Sequence, residues 1–226
     1  MNITLSAKFI STVLTGIIGF LLIAHCIQAY FFLEGLMDYV YFLDFDIERN
    51  LPTFYSVAAI EIAALLLLVI YIYHKKNQNN YQWAWLGLSI LFAFLGLDEA
   101  TKIHENAGDI ISYTFEATGI FYFPWVLPYG IALIFLSVIY IPWLFSIPLS
   151  NRIEFIISAI VFLSGALGME MLSAVYAEQT SLDSYEYIRT YTIEETLEML
   201  GVLLFIRALI RYMHVTIKDI TIECRP

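Results

Sequence analysis

Residues 53–73 read TFYSVAAIEIAALLLLVIYIY, a continuous apolar run that contains a single charged side chain, Glu61. A helix needs about 20 predominantly apolar residues to cross the hydrocarbon of a bilayer, and this run has that length. Because apolar residues do not alternate with polar ones, the run predicts a membrane-spanning helix and not a barrel strand. An ionisable residue such as Glu61 is costly inside a span, so it indicates a functional site.

Five further stretches share this character, and together they predict an all-α, polytopic integral membrane protein. The chain is 60% apolar and 14% charged, whereas a soluble domain is about 25% charged. The first stretch is too long for a signal-peptide core, so we expect it to be retained. The intervening polar segments are short, which indicates a single transmembrane helical domain over residues 1–226. The six predicted transmembrane helices are Phe9–Phe31, Thr53–Tyr73, Trp83–Leu97, Trp125–Ser146, Ile153–Val175 and Tyr191–Tyr212.

Lysine and arginine predict the orientation of the six helices, because cytoplasmic segments are enriched in both. With the N- and C-termini in the cytoplasm, the outer segments carry only Arg49, Lys102 and Arg189. The cytoplasmic segments hold the other eight of the eleven basic residues, which are Lys8, Lys75, Lys76, Arg152, Arg207, Arg211, Lys218 and Arg225. In this topology Cys26 and Cys224 lie near opposite membrane faces, so we expect no disulfide between them.

The outer segment between the third and fourth helices is long enough to hold further structure. Apolar and polar residues are mixed over residues 104–117, which predicts a short amphipathic helix lying at the membrane interface. Aromatic residues crowd the same side of the membrane, for example at 121–123 and 125. An interfacial aromatic belt accounts for them, and a groove that binds lipid or quinone is the alternative.

Carboxylates from separate predicted helices fall at similar depth on the outer side. Counted from the outer mouth at about 1.5 Å per residue, Glu61, Glu170 and Glu198 all lie roughly 8–11 Å deep. Such groups repel one another unless a cation binds between them or a proton is shared. We therefore expect them to face one pocket that opens away from the cytoplasm.

Three sets of residues are candidates for the chemistry of this pocket. The candidate catalytic residues, acting as acid or base beside a metal, are Asp98, Glu99 and Glu198. The candidate metal ligands are His104, Glu105, Glu194, Glu195, Glu198, Glu170, Glu61 and Asp98. The residues expected to support the site are Glu48, Asn50 and His25.

Structural roles are the alternative for some of these side chains. Thr192 precedes Glu195 by three residues, which is the spacing of a capping box at a helix start. Lys102 follows Asp98 by four residues, so a local ion pair on one helix would partly neutralise Asp98.

The residue types indicate a divalent metal ion as the cofactor. Clusters made only of oxygen ligands favour calcium or similar hard cations, and adding His104 shifts the choice toward zinc, iron or manganese. The sequence contains no Gly-x-Ser-x-Gly, His-Glu-x-x-His, Walker A or dinucleotide-binding motif. A net charge of −10 and the lack of a basic patch exclude nucleic acid as a partner. Membrane lipids, and alternatively a membrane protein, are the expected partners.

Two motifs in the first half of the chain occur together. The segment Glu-x-Asn-x-Pro-Thr-x-Tyr-Ser at residues 48–56 is followed by Leu-Asp-Glu at 97–99 and His-Glu at 104–105. This pairing resembles a group of uncharacterised bacterial polytopic membrane proteins. The resemblance implies a multi-pass protein of the bacterial inner membrane, and it brings no known activity.

The acidic segment before the second span also resembles, more faintly, that of the alkaline ceramidase-like superfamily of membrane hydrolases. Asp46, Glu48 and Asn50 carry this likeness. The family has seven spans and uses a serine, an aspartate and several histidines around zinc, so the resemblance implies metal-dependent hydrolysis of a lipid. This chain departs from it in having six predicted spans and acidic residues at 194, 195 and 198, where the last histidines would be.

Three functions remain open at this point. The first is a metal-dependent membrane hydrolase that acts on a lipid-like substrate from the outer face. The second is a proton- or cation-coupled transporter, although no inverted repeat or broken helix is evident. The third is a non-catalytic subunit of a membrane complex, whose acids pair with basic residues of a partner.

Overall fold

The structure is a computed structural model that describes residues 7–217, and within that range it contains helices and turns but no strand. Lys218, Arg225 and Cys224, which entered the predicted topology, lie outside the described residues. The helices are α1 (Ala7–Leu33), α2 (Leu51–Lys76), α3 (Gln82–Thr101), α4 (Ile103–Ser112), α5 (Val126–Ser146), α6 (Leu149–Leu163), α7 (Glu170–Gln179) and α8 (Tyr185–Thr216). A π-helical segment, Ser164–Met169, joins α6 to α7 without a break.

Five helical stretches are long and apolar enough to cross a membrane, as expected of a multi-pass membrane protein. They are α1, α2, α3, α5 and the continuous α6–α7 helix. The all-helical class is therefore confirmed for the described residues. α8 has 32 residues but is less apolar, because Glu198, Arg207 and Arg211 interrupt its apolar part. A sixth span in α8, and cytoplasmic termini with it, stay predictions.

The start of α8 differs from the sequence prediction. α8 begins at Tyr185, and the N-cap is Ser184, whose side chain accepts a hydrogen bond from a backbone N–H of the first turn at 3.2 Å. Thr192 therefore lies two turns inside the helix, and the predicted capping box of Thr192 with Glu195 is wrong. Because Ser184 supplies the cap earlier in the chain, the acids of α8 project from the side of a continuous helix.

α2 and α8 form the centre of the bundle. Leu67 and Ile70 of α2 and Leu209 and Ile210 of α8 are completely or almost completely buried. α2 packs along α3, and α8 packs against α1, α2 and α6. Apolar side chains of the outer helices, such as Phe135 of α5, face outward, where lipid tails are as apolar as they are.

A short helix is present where the amphipathic helix was predicted. α4 spans Ile103–Ser112, whereas residues 113–117 are not helical. Gly108 packs against Trp125, since a Cβ at this glycine would lie 3.3 Å from the Trp125 side chain. The helix is therefore shorter than predicted, and its placement at a membrane surface stays a prediction.

Candidate metal centre and cavity

Asn50 folds the loop that leads into α2 and thereby positions Glu48. The Asn50 amide donates hydrogen bonds to the carbonyls of Asp44 and Ile47, both at 2.6 Å. Its side-chain oxygen accepts from the backbone N–H of Thr53 at 3.2 Å, which caps α2. Asn50 thus provides hydrogen-bond partners for backbone groups of the loop and of the helix start. It supports the site only indirectly, by holding the loop that carries Glu48.

Two strained residues lie next to the candidate site. Lys102 has a φ of 61° and separates α3 from α4, and Arg49, directly after Glu48, has a φ of 67°. Residues other than glycine rarely adopt this left-handed backbone conformation. Such strain persists where surrounding structure holds it, and it is concentrated at functional sites.

Asp98 orients His104. The backbone N–H of His104 donates to Asp98 Oδ1 at 2.7 Å, and His104 Nδ1 lies 3.2 Å from the same oxygen. The Tyr129 hydroxyl donates to Asp98 Oδ2 at 3.0 Å. With Nδ1 donating to this buried carboxylate, the imidazole keeps Nε2 free as a ligand, the arrangement usual for histidines that bind metals.

Glu48, His104 and Glu105 form a compact group that could hold a metal ion. One ligand atom from each lies within 4.8 Å of the others, and His104 Nε2 is 3.9 Å from Glu48 Oε1. Lys102 Nζ contacts both oxygens of Glu105 at 3.0 Å and lies 3.7 Å from Glu48 Oε2. The predicted ion pair between Lys102 and Asp98 is therefore wrong, because Lys102 turns toward the glutamates.

The charges of this group are coupled. Burial raises the pKa of Glu48 to about 7, against the opposing charge of Lys102. Burial alone would lower the pKa of His104, but the hydrogen bond and charge of Asp98, with the charges of Glu48 and Glu105, raise it by more. A cation bound between the carboxylates would therefore have to displace protons.

A second set of carboxylates lies deeper, where the α6–α7 helix meets α8. Gly165, in the π-helical segment, allows close contact, since a Cβ there would lie 2.7 Å from the Glu194 carbonyl and 2.9 Å from Cγ of Glu198. Glu170 accepts a hydrogen bond from Trp125 Nε1 at 2.7 Å. Ser173 donates to Glu194 at 2.8 Å. π-helical segments of this kind are frequent at functional sites.

Three of the predicted acids have no direct partner. Glu99, Glu195 and Glu198 make no side-chain hydrogen bond or ion pair with any residue in the described range 7–217. Their charges act on one another, Glu198 on Glu195 and Glu99 on both. These carboxylates are therefore available for a ligand.

A cavity of about 1630 Å³ connects the two sets of acids. Glu48, His104, Glu105, Glu170 and Glu198 are among its lining residues. α5 borders the cavity: its buried residues, Val126 and Trp143, lie at its two ends, and side chains between them line the cavity. Leucine and phenylalanine side chains of α3, α5 and α6 line the remainder.

Two residues expected at the site lie elsewhere. Glu61 is not among the residues that line the cavity, and its carboxylate packs against Gly96, where a Cβ would lie 2.5 Å from the oxygen. The structure therefore places Glu170 and Glu198, but not Glu61, at the shared pocket. His25 is fully buried, with Nε2 3.0 Å from Thr192 Oγ1 and its ring stacked on Phe45 at 4.3 Å. His25 thus links α1 to α8 and to the loop before α2.

The remaining predicted metal ligands lie in two separate groups. His104 and Glu105 join Glu48 in the compact group, whereas Glu194, Glu195, Glu198 and Glu170 line the cavity outside that group in the described part of the chain.

Sequence reasoning assigned Glu48 a supporting role, placed Trp125 among the aromatic residues of a belt or groove, and did not single out Tyr129. In the sequence, Asn50 as a helix cap and Pro52 in the first turn indicate a loop that turns back at Glu48. This pattern could have been used to predict that Glu48 lies at the site. Nothing in the sequence distinguishes Trp125 or Tyr129 from other aromatic residues of an interfacial belt.

A comparison with known proteins gives a family but no activity. Residues 11–213 match the family described as a domain of unknown function (DUF8692). No curated protein and no solved structure matches the chain. Since the match covers nearly all of the described residues, this chain belongs to the DUF8692 family.

Proposed function

We propose that this protein is a metal-dependent membrane hydrolase that acts on a lipid-like substrate. The observation that carries the proposal is the His104 side chain, fixed by Asp98 through Nδ1 and presenting Nε2 to Glu48 beside Glu105. A histidine oriented by a carboxylate, next to two further carboxylates, is a ligand set for zinc, manganese or iron. The nitrogen ligand from His104 makes calcium, which binds through oxygen ligands, less suitable.

The cavity supports a lipid-like substrate. α5 lines it from Pro128 to Leu144, which at about 1.5 Å per residue is roughly 24 Å. That length is close to the hydrocarbon thickness of a bilayer, about 30 Å. An apolar chain in the cavity would have its polar end beside the carboxylates.

The chemistry follows from the groups present. A divalent ion held by Glu48, His104 and Glu105 would activate a water and polarise the bond to be cleaved. Glu99 or Glu198, which form no hydrogen bond or ion pair within residues 7–217, would accept a proton from that water. As the water oxygen replaced the leaving group on the acyl carbon or the phosphorus of the substrate, the same glutamate would return the proton to the leaving group. Asp98 is a positioning residue in this scheme, because it acts through His104.

The proposal includes the location of the protein. The basic residues near the ends of the helices support an orientation with the metal site outside the cytoplasm, and the bacterial inner membrane is proposed from the resemblance to bacterial membrane proteins alone. α8 would supply the sixth span, with its acids facing the cavity and not the lipid.

Metal analysis of the purified full chain tests the proposal. We expect about one equivalent of zinc, manganese or iron per chain in the wild type and in Glu61→Gln, because Glu61 lies outside the cavity. Glu48→Gln and Glu105→Gln should lose most of the metal, since each removes a charged ligand. Equal metal content in all four proteins, or none in any, contradicts the proposal.

A second measurement tests hydrolysis itself. Metal-loaded protein is incubated with membrane lipids in water labelled with heavy oxygen (¹⁸O), and the masses of the products are measured by mass spectrometry. We expect the label in a new carboxylate or phosphate, with the label lost in Glu48→Gln and retained in Glu61→Gln. Unlabelled products, or lipids that stay intact with fully metal-loaded protein, contradict the assignment as a hydrolase.

A further inference from the structure

The charged residues that line the cavity are mostly acidic. Twelve acidic side chains line it, against Lys102 and His104 as the basic lining residues in the described range 7–217. Lys102 and His104 both pair with Glu48, and Glu105 and Asp98 are their other partners. Within the described range, the deeper acids Glu170, Glu194, Glu195 and Glu198 therefore form no ion pair with a basic residue.

Some of these carboxylates lack a partner. Oε2 of Glu48 is buried and makes no hydrogen bond, and Lys102 reaches it only at 3.7 Å. Glu99, Glu195 and Glu198 also lack direct partners among the described residues. A carboxylate that lacks a hydrogen-bond partner interacts favourably with a cation placed beside it, so the cavity favours a cationic ligand.

Two aromatic rings form a corner beside these acids. Trp125 and Tyr129 both line the cavity, and their rings meet at 88° with centroids 5.3 Å apart. The His104 ring packs against Trp125 at 4.8 Å, and Trp125 holds Glu170 through its indole N–H. Aromatic faces next to carboxylates are the surroundings that alkylammonium groups prefer, because the ring quadrupole attracts a cation whose methyl groups repel water.

The other end of the cavity suits an apolar chain. Leu91, Leu95, Leu136, Phe155 and Phe205 line it between α3, α5, α6 and α8. An anionic head group would meet the unpartnered carboxylates and be repelled by them. A neutral head group would gain nothing from their charge.

We propose that the cavity binds an amphiphile with an ammonium head group, which lies against Trp125, Tyr129 and the unpartnered carboxylates, and an apolar chain that runs along α5. That this amphiphile is the substrate rests on the proposed hydrolase function. Its binding does not, because the deeper acids lie outside the group formed by Glu48, His104 and Glu105, although the His104 ring of that group packs against Trp125.

Matched probes in nanodiscs test the head-group preference. Decyltrimethylammonium, decyl sulfate and decyl maltoside share one chain length and differ in head-group charge. Binding is followed by tryptophan fluorescence of the full chain and by calorimetry. We expect the ammonium probe to bind about tenfold more tightly than the sulfate probe, as a desolvated cation–π contact with adjacent carboxylates implies. Equal affinities for the three probes overturn the proposal.

Substitutions locate the binding site. Glu198→Gln and Trp125→Leu should each weaken binding of the ammonium probe by about threefold to tenfold. Glu61→Gln removes the same charge outside the cavity and should leave the affinity unchanged. Glu195→Gln serves as a second cavity variant if Trp125→Leu does not fold. An equal loss in Glu61→Gln and Glu198→Gln would show a general charge effect and overturn the proposal.

Metal content measured on the same samples separates this inference from the proposed function. Protein that binds metal but shows no preference for ammonium overturns the inference and leaves the hydrolase proposal standing. Protein that prefers ammonium but holds no metal supports the inference as a binding property and contradicts the hydrolase.

Discussion

His74 and His104 lie toward opposite ends of the bundle and have opposite surroundings. His74 is buried, contacts the Tyr212 hydroxyl at 2.9 Å, and stacks on Trp85 with an interplanar angle of 6°. His104 contacts Asp98 at 3.2 Å and Glu48 at 3.9 Å. No carboxylate forms a hydrogen bond or ion pair with His74 within residues 7–217. The same residue type is therefore a packing element at one end and a candidate ligand at the other.

The difference shows what the neighbouring helices supply. Around His74, α3, α5 and α8 contribute aromatic rings such as Trp85 and Trp143, which fill space. Around His104, the break at Lys102 brings α4 back over Asp98, and the loop before α2 contributes Glu48. Carboxylates beside a histidine can complete a metal site, whereas one hydrogen bond to a hydroxyl gives a buried neutral histidine the partner it needs.

Replacing each histidine by alanine gives the largest expected contrast. His104→Ala should lower metal affinity by more than about 100-fold, because the nitrogen ligand is lost. His74→Ala should keep its metal and instead lower thermal stability, since Tyr212 loses a buried partner at a cost of about 1–3 kcal/mol. Metal titration and thermal unfolding of both variants measure the two effects. Metal loss in His74→Ala alone would reverse the comparison.

Replacing Asp98 by asparagine tests how His104 is held. Asp98→Asn should lower metal affinity by about 10- to 100-fold, as is typical when the partner of a metal-bound histidine is changed. It should also lower the pKa of His104, because a negative charge beside the imidazole is lost. Histidine titration by NMR, with Glu61→Gln as the control, distinguishes this from a general structural effect. An unchanged His104 titration contradicts the positioning role.

The pH dependence of metal binding should follow the candidate ligands. Below about pH 7 Glu48 is protonated, and His104 keeps its proton to a higher pH than an ordinary histidine. Protons compete with metal at both groups, so affinity should rise as pH increases through 7 and fall by about tenfold or more per unit below it. Metal titrations from pH 5.5 to 8.5 measure this change in affinity. Asp98, Glu105 and Lys102 are the charged neighbours of Glu48 and His104. Affinity that is independent of pH would exclude Glu48 and His104 as ligands.

Replacing Lys102 gives the smallest expected effect. Lys102→Met removes the cation that now contacts Glu48 and Glu105, while a methionine keeps the same backbone constraint at φ 61°. Metal affinity should rise about fivefold, the effect of removing about 1 kcal/mol of charge repulsion. Lys75→Met, at the opposite end of α2, is the control. Weaker metal binding in Lys102→Met would indicate that Lys102 supports the site.

The apolar runs were sufficient to predict the all-helical class and the five long apolar helices of the described chain. Membrane-spanning helices are local in their cause, because length and hydropathy decide them. The exception, α8, is informative: its charged residues lower its hydropathy, and its acids line a cavity. The prediction of an acid-rich site was possible because buried charge is rare in such helices.

The sequence by itself determined the helical class, the runs that are long and apolar enough to cross a membrane, and the end of the bundle where acids gather, since these depend on composition along a single helix. Only the tertiary structure decided that Glu48 joins His104, that Glu61 packs against Gly96 away from the cavity, and that α5 stands off far enough to leave a cavity. The reason is that rotation and separation of helices are set by contacts between residues distant in sequence, such as Trp125 with Glu170 and Tyr129 with Asp98. Depth along a helix can be counted from the sequence, but the direction in which a carboxylate points depends on its neighbours.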